Sequence, residues 1–80
     1  MIYNEKWVTG KVTFLKNDRI EKHTLKQQCS FWLDCGGGRR YYVIAPFNMA
    51  IKKDEEVTLL LEEHPGTKTN YYLAKERKDE

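Results

Sequence analysis

The sequence predicts an all-β fold, a small five-stranded barrel with one short helical turn. Three observations carry that expectation. Residues Ser30 to Ile44 read as two runs rich in aromatic and β-branched residues, separated by Gly36, Gly37 and Gly38, which is a hairpin signal. Polar and apolar residues alternate from Trp7 to Leu15 and again from Glu56 to Glu62, the pattern of half-buried strands. Polar turns at Lys16–Arg19 and Lys52–Glu56, and a Pro-Gly pair at Pro65 and Gly66, cut the chain into short strands with tight connections.

Each element follows from local chemistry. In the first strand Val8, Gly10, Val12 and Phe14 share one face and Thr9, Lys11 and Thr13 the other. Gly10 within it marks a bulge or a sharp bend, as small barrels need. Lys16 to Arg19 reads as a turn. Ile20 to Gln28 is polar and admits two readings: its Thr and His content suits a strand, while Glu21, Lys22, Leu25 and Lys26 suit a short helix. A strand or irregular loop is expected there. Cys29 to Asp34 is the second strand and Arg39 to Ile44 the third. A three-glycine loop sets position 35 opposite 39, so Leu33 meets Tyr41 and Phe31 meets Val43 on the inner face. The outer face then pairs Asp34 with Arg40 and Trp32 with Tyr42, joining opposite charges and two aromatics.

Pro46 can open a helical turn, with Phe47, Ala50 and Ile51 as a short apolar stripe. Glu56 to Glu62 is the fourth strand and Tyr71 to Lys75 the fifth. The domain is expected to span residues 1–75, with 76–80 a fraying charged tail. The expected core is Val8, Val12, Phe14, Phe31, Leu33, Val43, Val57, Leu59 and Leu61.

Eighty residues make one domain with a small core. A hydrophobic fraction of 40% against 32% charged residues is that of a globular chain rather than a disordered one. No apolar run approaches the roughly 20 residues of a membrane helix, and the N-terminus lacks a basic segment followed by an apolar one. A cytoplasmic location away from membranes is expected. Cys29 and Cys35 are six residues apart. Extended, that separation is roughly 20 Å at ~3.3 Å per residue, too far for a disulfide, which needs Cα atoms within about 7 Å. Both are expected to be free thiols in a reducing compartment. With His23 and His64 they match no zinc-ligand spacing, so no metal and no cofactor is expected.

Five strands with a helical element between the third and fourth follow the element order of the OB-fold, and a five-stranded SH3-like barrel satisfies the same data. Residues 41–61 resemble the small OB barrels of NfeD-type proteins. The resemblance lies in the aromatic-valine pair Tyr42-Val43, the short turn Phe47 to Ile51, and the charged turn Lys53-Asp54-Glu55-Glu56 leading into Val57. The glycine usual in that family's charged turn is absent here. The resemblance implies a barrel and transfers no activity.

No enzyme is expected. Cys29 is expected to be buried, and Cys35 has no histidine near it in sequence to activate it. The carboxylate pairs Glu55-Glu56 and Glu62-Glu63 lie in or beside a strand, where neighbours face opposite sides. The triple glycine is followed by a strand rather than the helix a phosphate loop requires. Two non-enzymatic functions remain. One is a protein-interaction or structural barrel that self-associates or holds a protein partner, with Tyr3, Trp7, Tyr71 and Tyr72 in an apolar patch. The other is a single-stranded nucleic-acid-binding module. In it Trp32 and Tyr42 would stack on bases, and Arg39, Arg40, Lys22, Lys26 and Lys68 would follow the phosphates. Residues 1–44 hold eight Lys and Arg against four Asp and Glu, a net of +4, which reads first as a mixed solvated surface and only second as a basic face on that half.

Overall fold

Three consecutive glycines set the register of the central hairpin. In the computed structural model, which describes residues 3–20 and 23–78, Gly36, Gly37 and Gly38 all have positive φ (82°, 61° and 79°), a region that side chains disfavour. The turn is closed by Cys35 N–H donating to the Arg39 carbonyl at 2.9 Å and Arg39 N–H donating to Gly36 at 3.0 Å. Asp34 Oδ1 accepts from Gly36 N–H at 2.9 Å. The strands on either side, β2 (Gln27–Asp34) and β3 (Arg40–Pro46), pair without a slip from Gln28↔Pro46 to Asp34↔Arg40. The expected pairs Phe31↔Val43, Trp32↔Tyr42 and Leu33↔Tyr41 are all present.

Around this hairpin the chain closes a barrel in the order β1-β2-β3-β5-β4. The remaining strands are β1 (Glu5–Ile20), β4 (Glu56–His64) and β5 (Tyr71–Lys78). β3 and β5 run parallel through Val43↔Tyr72 and Ile44↔Leu73, and the other pairings are antiparallel. Such closure is compatible with the OB arrangement. A single 3₁₀ turn, Phe47–Met49, lies between β3 and β4. None of the helical segments is long and apolar enough to cross a membrane.

β1 departs most from the sequence expectation. Lys16–Arg19 is strand rather than turn. One continuous β1 serves two partners, pairing with β4 from Glu5 to Lys11 and with β2 from Lys11 to Ile20. Gly10 sits at the corner. A Cβ there would lie 2.8 Å from the Asp34 carbonyl and 3.0 Å from Cys35 Sγ, so glycine permits the two strands to cross this closely. The bulge itself lies further on, where the β1–β2 register slips between Thr13 and Lys16 and again between Lys16 and Arg19. Phe14 takes φ 54°. The extra residue reverses the alternation beyond it. Leu15 packs against the core, and Phe14, expected inside, is 70% exposed.

The rest of the core follows the alternation. Val12, Phe31, Leu33, Val43, Val57, Leu59 and Leu61 are buried, and Val8 packs partly buried against them. Cys29, Ala45, Ile51 and Ala74 complete the cluster. Cys29 and Cys35 are both free. β5 continues three residues past its expected end, so Glu76, Arg77 and Lys78 are strand rather than tail, while residues 79–80 lie outside the described chain. Arg77 explains the extension. Its guanidinium pairs with Glu55 at 2.7 Å and donates to the carbonyls of Met49 and Ala50 at 3.4 and 3.3 Å, tying β5 to the 3₁₀ turn.

Candidate nucleic-acid interface

The alternation that sends Phe31, Leu33 and Val43 inward sends Gln28, Ser30 and Trp32 of β2, and Arg40, Tyr42 and Ile44 of β3, to the outer face of the hairpin. Trp32 and Tyr42 are directly paired, their ring centroids 5.2 Å apart and tilted by 51°. The Arg40 guanidinium lies 5.8 Å from the Trp32 ring centroid, within cation–π range. The two aromatics expected to form the stacking platform are therefore together, with one of the expected cations, Arg40, beside them.

Tyr42 divides two hollows. The smaller, about 260 Å³, is lined by Phe14, Lys16, Ser30, Trp32 and Tyr42. Phe14 reaches it because the bulge turns its side chain outward. The larger, about 630 Å³, lies between the hairpin face and the loop joining β4 to β5. Ile44 and Leu73, paired across the parallel seam, give it apolar surface. Tyr42 and Tyr71 add aromatic surface, and Thr67, Lys68 and Thr69 line the loop side. Among the described residues no carboxylate lines either hollow.

The β4–β5 loop is held at both feet. Glu63 Oε2 accepts from the Tyr72 hydroxyl at 2.9 Å and from Asn70 Nδ2 at 3.2 Å. Those hydrogen bonds hold the Glu63 carboxyl below its usual range. Burial, with the Glu63 carboxylate as acceptor, pushes the Tyr72 phenol up to about 12. Beside them His64 lies between Tyr3 and Tyr71, with ring centroids at 4.0 and 5.3 Å, and its Nε2 contacts Glu62 Oε1 at 2.6 Å. Within the loop, a Cβ on Gly66 would fall 2.0 Å from the Thr69 carbonyl, so only glycine allows this compact turn.

No protein-family model matches the chain, and neither a curated protein nor a solved structure matches it.

One of the other expected cations reaches these hollows. Lys68 lines the larger hollow. Lys26 is exposed immediately before β2, its N–H donating to Thr24 Oγ1 at 3.4 Å. Arg39 lies at the opposite end of the hairpin. Its charge acts on Cys35, where together with Lys6 it partly offsets the upward push of burial and Asp34 on the thiol. Lys22 lies outside the described residues. Phe14, Lys16, Gln28 and Tyr71 join the site without having been anticipated in it. The signal for Phe14 was present: Phe14 and Leu15 are adjacent apolar residues, and a strand cannot send both inward.

The four aromatics expected to form an apolar patch do not share one environment. Tyr3 and Tyr71 flank His64. Tyr72 meets Tyr41 edge-on at 4.9 Å, and the Lys6 ammonium lies 4.6 Å from the Tyr41 centroid. Trp7, 50% exposed, pairs with Leu60 in the β1–β4 ladder. It lines a separate hollow of about 420 Å³ with Thr58, Arg77 and Lys78.

Proposed function

We propose that this protein is a non-enzymatic module that binds single-stranded nucleic acid across the outer face of β2 and β3. The observation that carries this reading is the composition of the two hollows on either side of Tyr42. They bring Phe14, Trp32, Tyr42 and Tyr71 together with Lys16 and Lys68, and no carboxylate among the described residues lines them. Unpaired bases have apolar faces that stack on aromatic rings, and their phosphates seek cations at the margins. Duplex DNA offers no such faces to a sheet. The likeness of residues 41–61 to NfeD-type barrels contributes an architecture to this reading and no activity. Two free thiols accord with a reducing, cytoplasmic setting.

The test is a tryptophan fluorescence titration with single-stranded DNA and RNA decamers at about 50 and 200 mM salt, where phosphate contacts separate strongly. The variant Trp7→Phe leaves Trp32 as the reporter. Saturable quenching that weakens with salt is expected. No binding at the lower salt overturns the reading.

A second reading, a protein-interaction surface, is favoured by Trp7. An indole 50% exposed on the β1–β4 side, above an apolar hollow, is a common anchor of protein contacts. Sedimentation equilibrium of the wild type and Trp7→Ala tests self-association through it, and a monomer at all concentrations leaves only a heterologous partner.

A further inference from the structure

The larger hollow differs from a plain stacking surface in the polar groups around it. Gln28 projects from the outer face of β2 on one side, and Thr67 and Thr69 stand on the loop opposite. Among the described residues the side chains of Gln28, Thr67 and Thr69 make no hydrogen bond, although each can both donate and accept. The apolar groups between them are Ile44, which is buried on this outer face, and Leu73. The loop is also preformed. Gly66 permits its tight turn, and Glu63 fixes its far foot through Asn70 and Tyr72. An apolar floor with a few polar groups that have no protein partner on its walls is the make-up of a pocket that selects its occupant.

We propose that this hollow reads one base of the bound strand, so that the protein is selective for sequence rather than a uniform coat on single strands. The inference rests on the nucleic-acid reading above. The base lies flat against Ile44 and Leu73 beside Tyr42 and turns its polar edge to Gln28. A glutamine amide carries a donor and an acceptor side by side, which can pair with the Watson–Crick or Hoogsteen edge of an unpaired base, and the base whose edge fits between Gln28 and the loop is the one preferred. Trp32, Phe14 and Arg40 on the other side of Tyr42 have no comparable amide. They hold the neighbouring base by its face and its phosphate by charge, which adds affinity without discrimination.

The experiment compares binding of decamers of A, C, G and T or U, as DNA and as RNA, to the wild type, Gln28→Ala and Trp32→Ala. The wild type is expected to prefer one of the decamers by about tenfold over the weakest, the scale of a bidentate base contact. Gln28→Ala should reduce that preference to within about twofold, and a circular dichroism spectrum and melting curve like the wild type's show that the variant is folded. Trp32→Ala should weaken all four decamers together and keep their ranking. Equal affinity of the wild type for all bases, or a preference untouched by Gln28→Ala, overturns base reading and leaves the binding module intact. Failure of the wild type to bind any decamer removes both.

Discussion

The two hairpins that share β2 are built on opposite principles. Between β2 and β3 the ladder runs from Gln28↔Pro46 to Asp34↔Arg40 without a slip, closed by three glycines. Between β1 and β2 it slips twice within the span from Thr13 to Arg19 and forces Phe14 to φ 54°. The regular hairpin supplies the barrel with Phe31, Leu33 and Val43, and its other face carries Trp32, Tyr42 and Arg40, the platform proposed for stacking. The irregular hairpin adds Phe14 and Lys16 to that platform at the cost of backbone strain. Regular pairing makes stability and surface together, whereas the bulge gives up one core side chain to extend the surface.

The largest expected effect separates the two regions by stability. Truncating Phe31 or Leu59 to Ala should cost about 2–5 kcal/mol, because each is fully buried and would leave a cavity. In a domain of 80 residues that loss is enough to unfold a large share of the molecules. Phe14→Ala, at an exposed position, should change stability by no more than about 0.5 kcal/mol. Urea unfolding of the three variants checks the contrast. Equal losses for Phe14 and Phe31 would mean that the bulge does not reverse the alternation.

Binding should reverse the order. Trp32→Ala is expected to lose roughly 1–3 kcal/mol of affinity for single strands through lost stacking, with its salt dependence unchanged. Phe14→Gly sharpens the point from the other hairpin. Glycine tolerates the left-handed backbone that phenylalanine endures there, so the variant should be more stable by up to about 1 kcal/mol and bind more weakly. A variant that gains stability and keeps full affinity would show that Phe14 is strained for no ligand.

The cations allow a finer cut. Arg40 lies over Trp32 and Arg39 beside Cys35 at the hairpin's end. Arg40→Ala should therefore flatten the slope of log affinity against log salt by about 0.7, one phosphate contact on a single strand, and Arg39→Ala by less. Identical slopes for both variants would place the strand's backbone along the glycine turn instead.

What could be read from the sequence follows the same division. The β2–β3 register was legible because three glycines admit one loop length that keeps Phe31, Leu33 and Val43 on one face while pairing Asp34 with Arg40. Trp32, Tyr42 and Arg40 were placed together by that register alone. The β1–β2 hairpin was not legible, because a bulge is a tertiary compromise: β1 must leave β4 at Lys11 and still reach Ile20 beside Gln27. Polar residues at 16–19 read locally as a turn, and only barrel closure holds them extended. The larger hollow was hidden for another reason. Tyr71, Leu73 and the 66–69 loop meet Gln28 and Ile44 across a parallel seam between residues far apart in the chain, and no local pattern reports a parallel pairing.

The smallest effect is spectroscopic and concerns the clamp that sets the loop opposite the regular hairpin. Burial and the Glu63 carboxylate raise the Tyr72 phenol from its ordinary 10.0 to about 12. A group raised on folding contributes stability that is complete below its unfolded value and is lost as pH climbs through its folded one. The Tyr72 contribution should thus hold to pH 10 and fade toward 12. Glu63 has the opposite sign. Held below its ordinary 4.5 by Tyr72 and Asn70, it contributes above that pH and its share is lost as acid protonates it. Ultraviolet titration of the phenolates should show a late step near pH 12 that belongs to Tyr72. Tyr72→Phe should abolish that late step. Glu63→Gln should move it to lower pH, since the amide still accepts a hydrogen bond but no longer opposes a second negative charge. Absence of that late step in the folded wild type would mean that the clamp does not form and that Glu63 does not hold the foot of the loop through Tyr72.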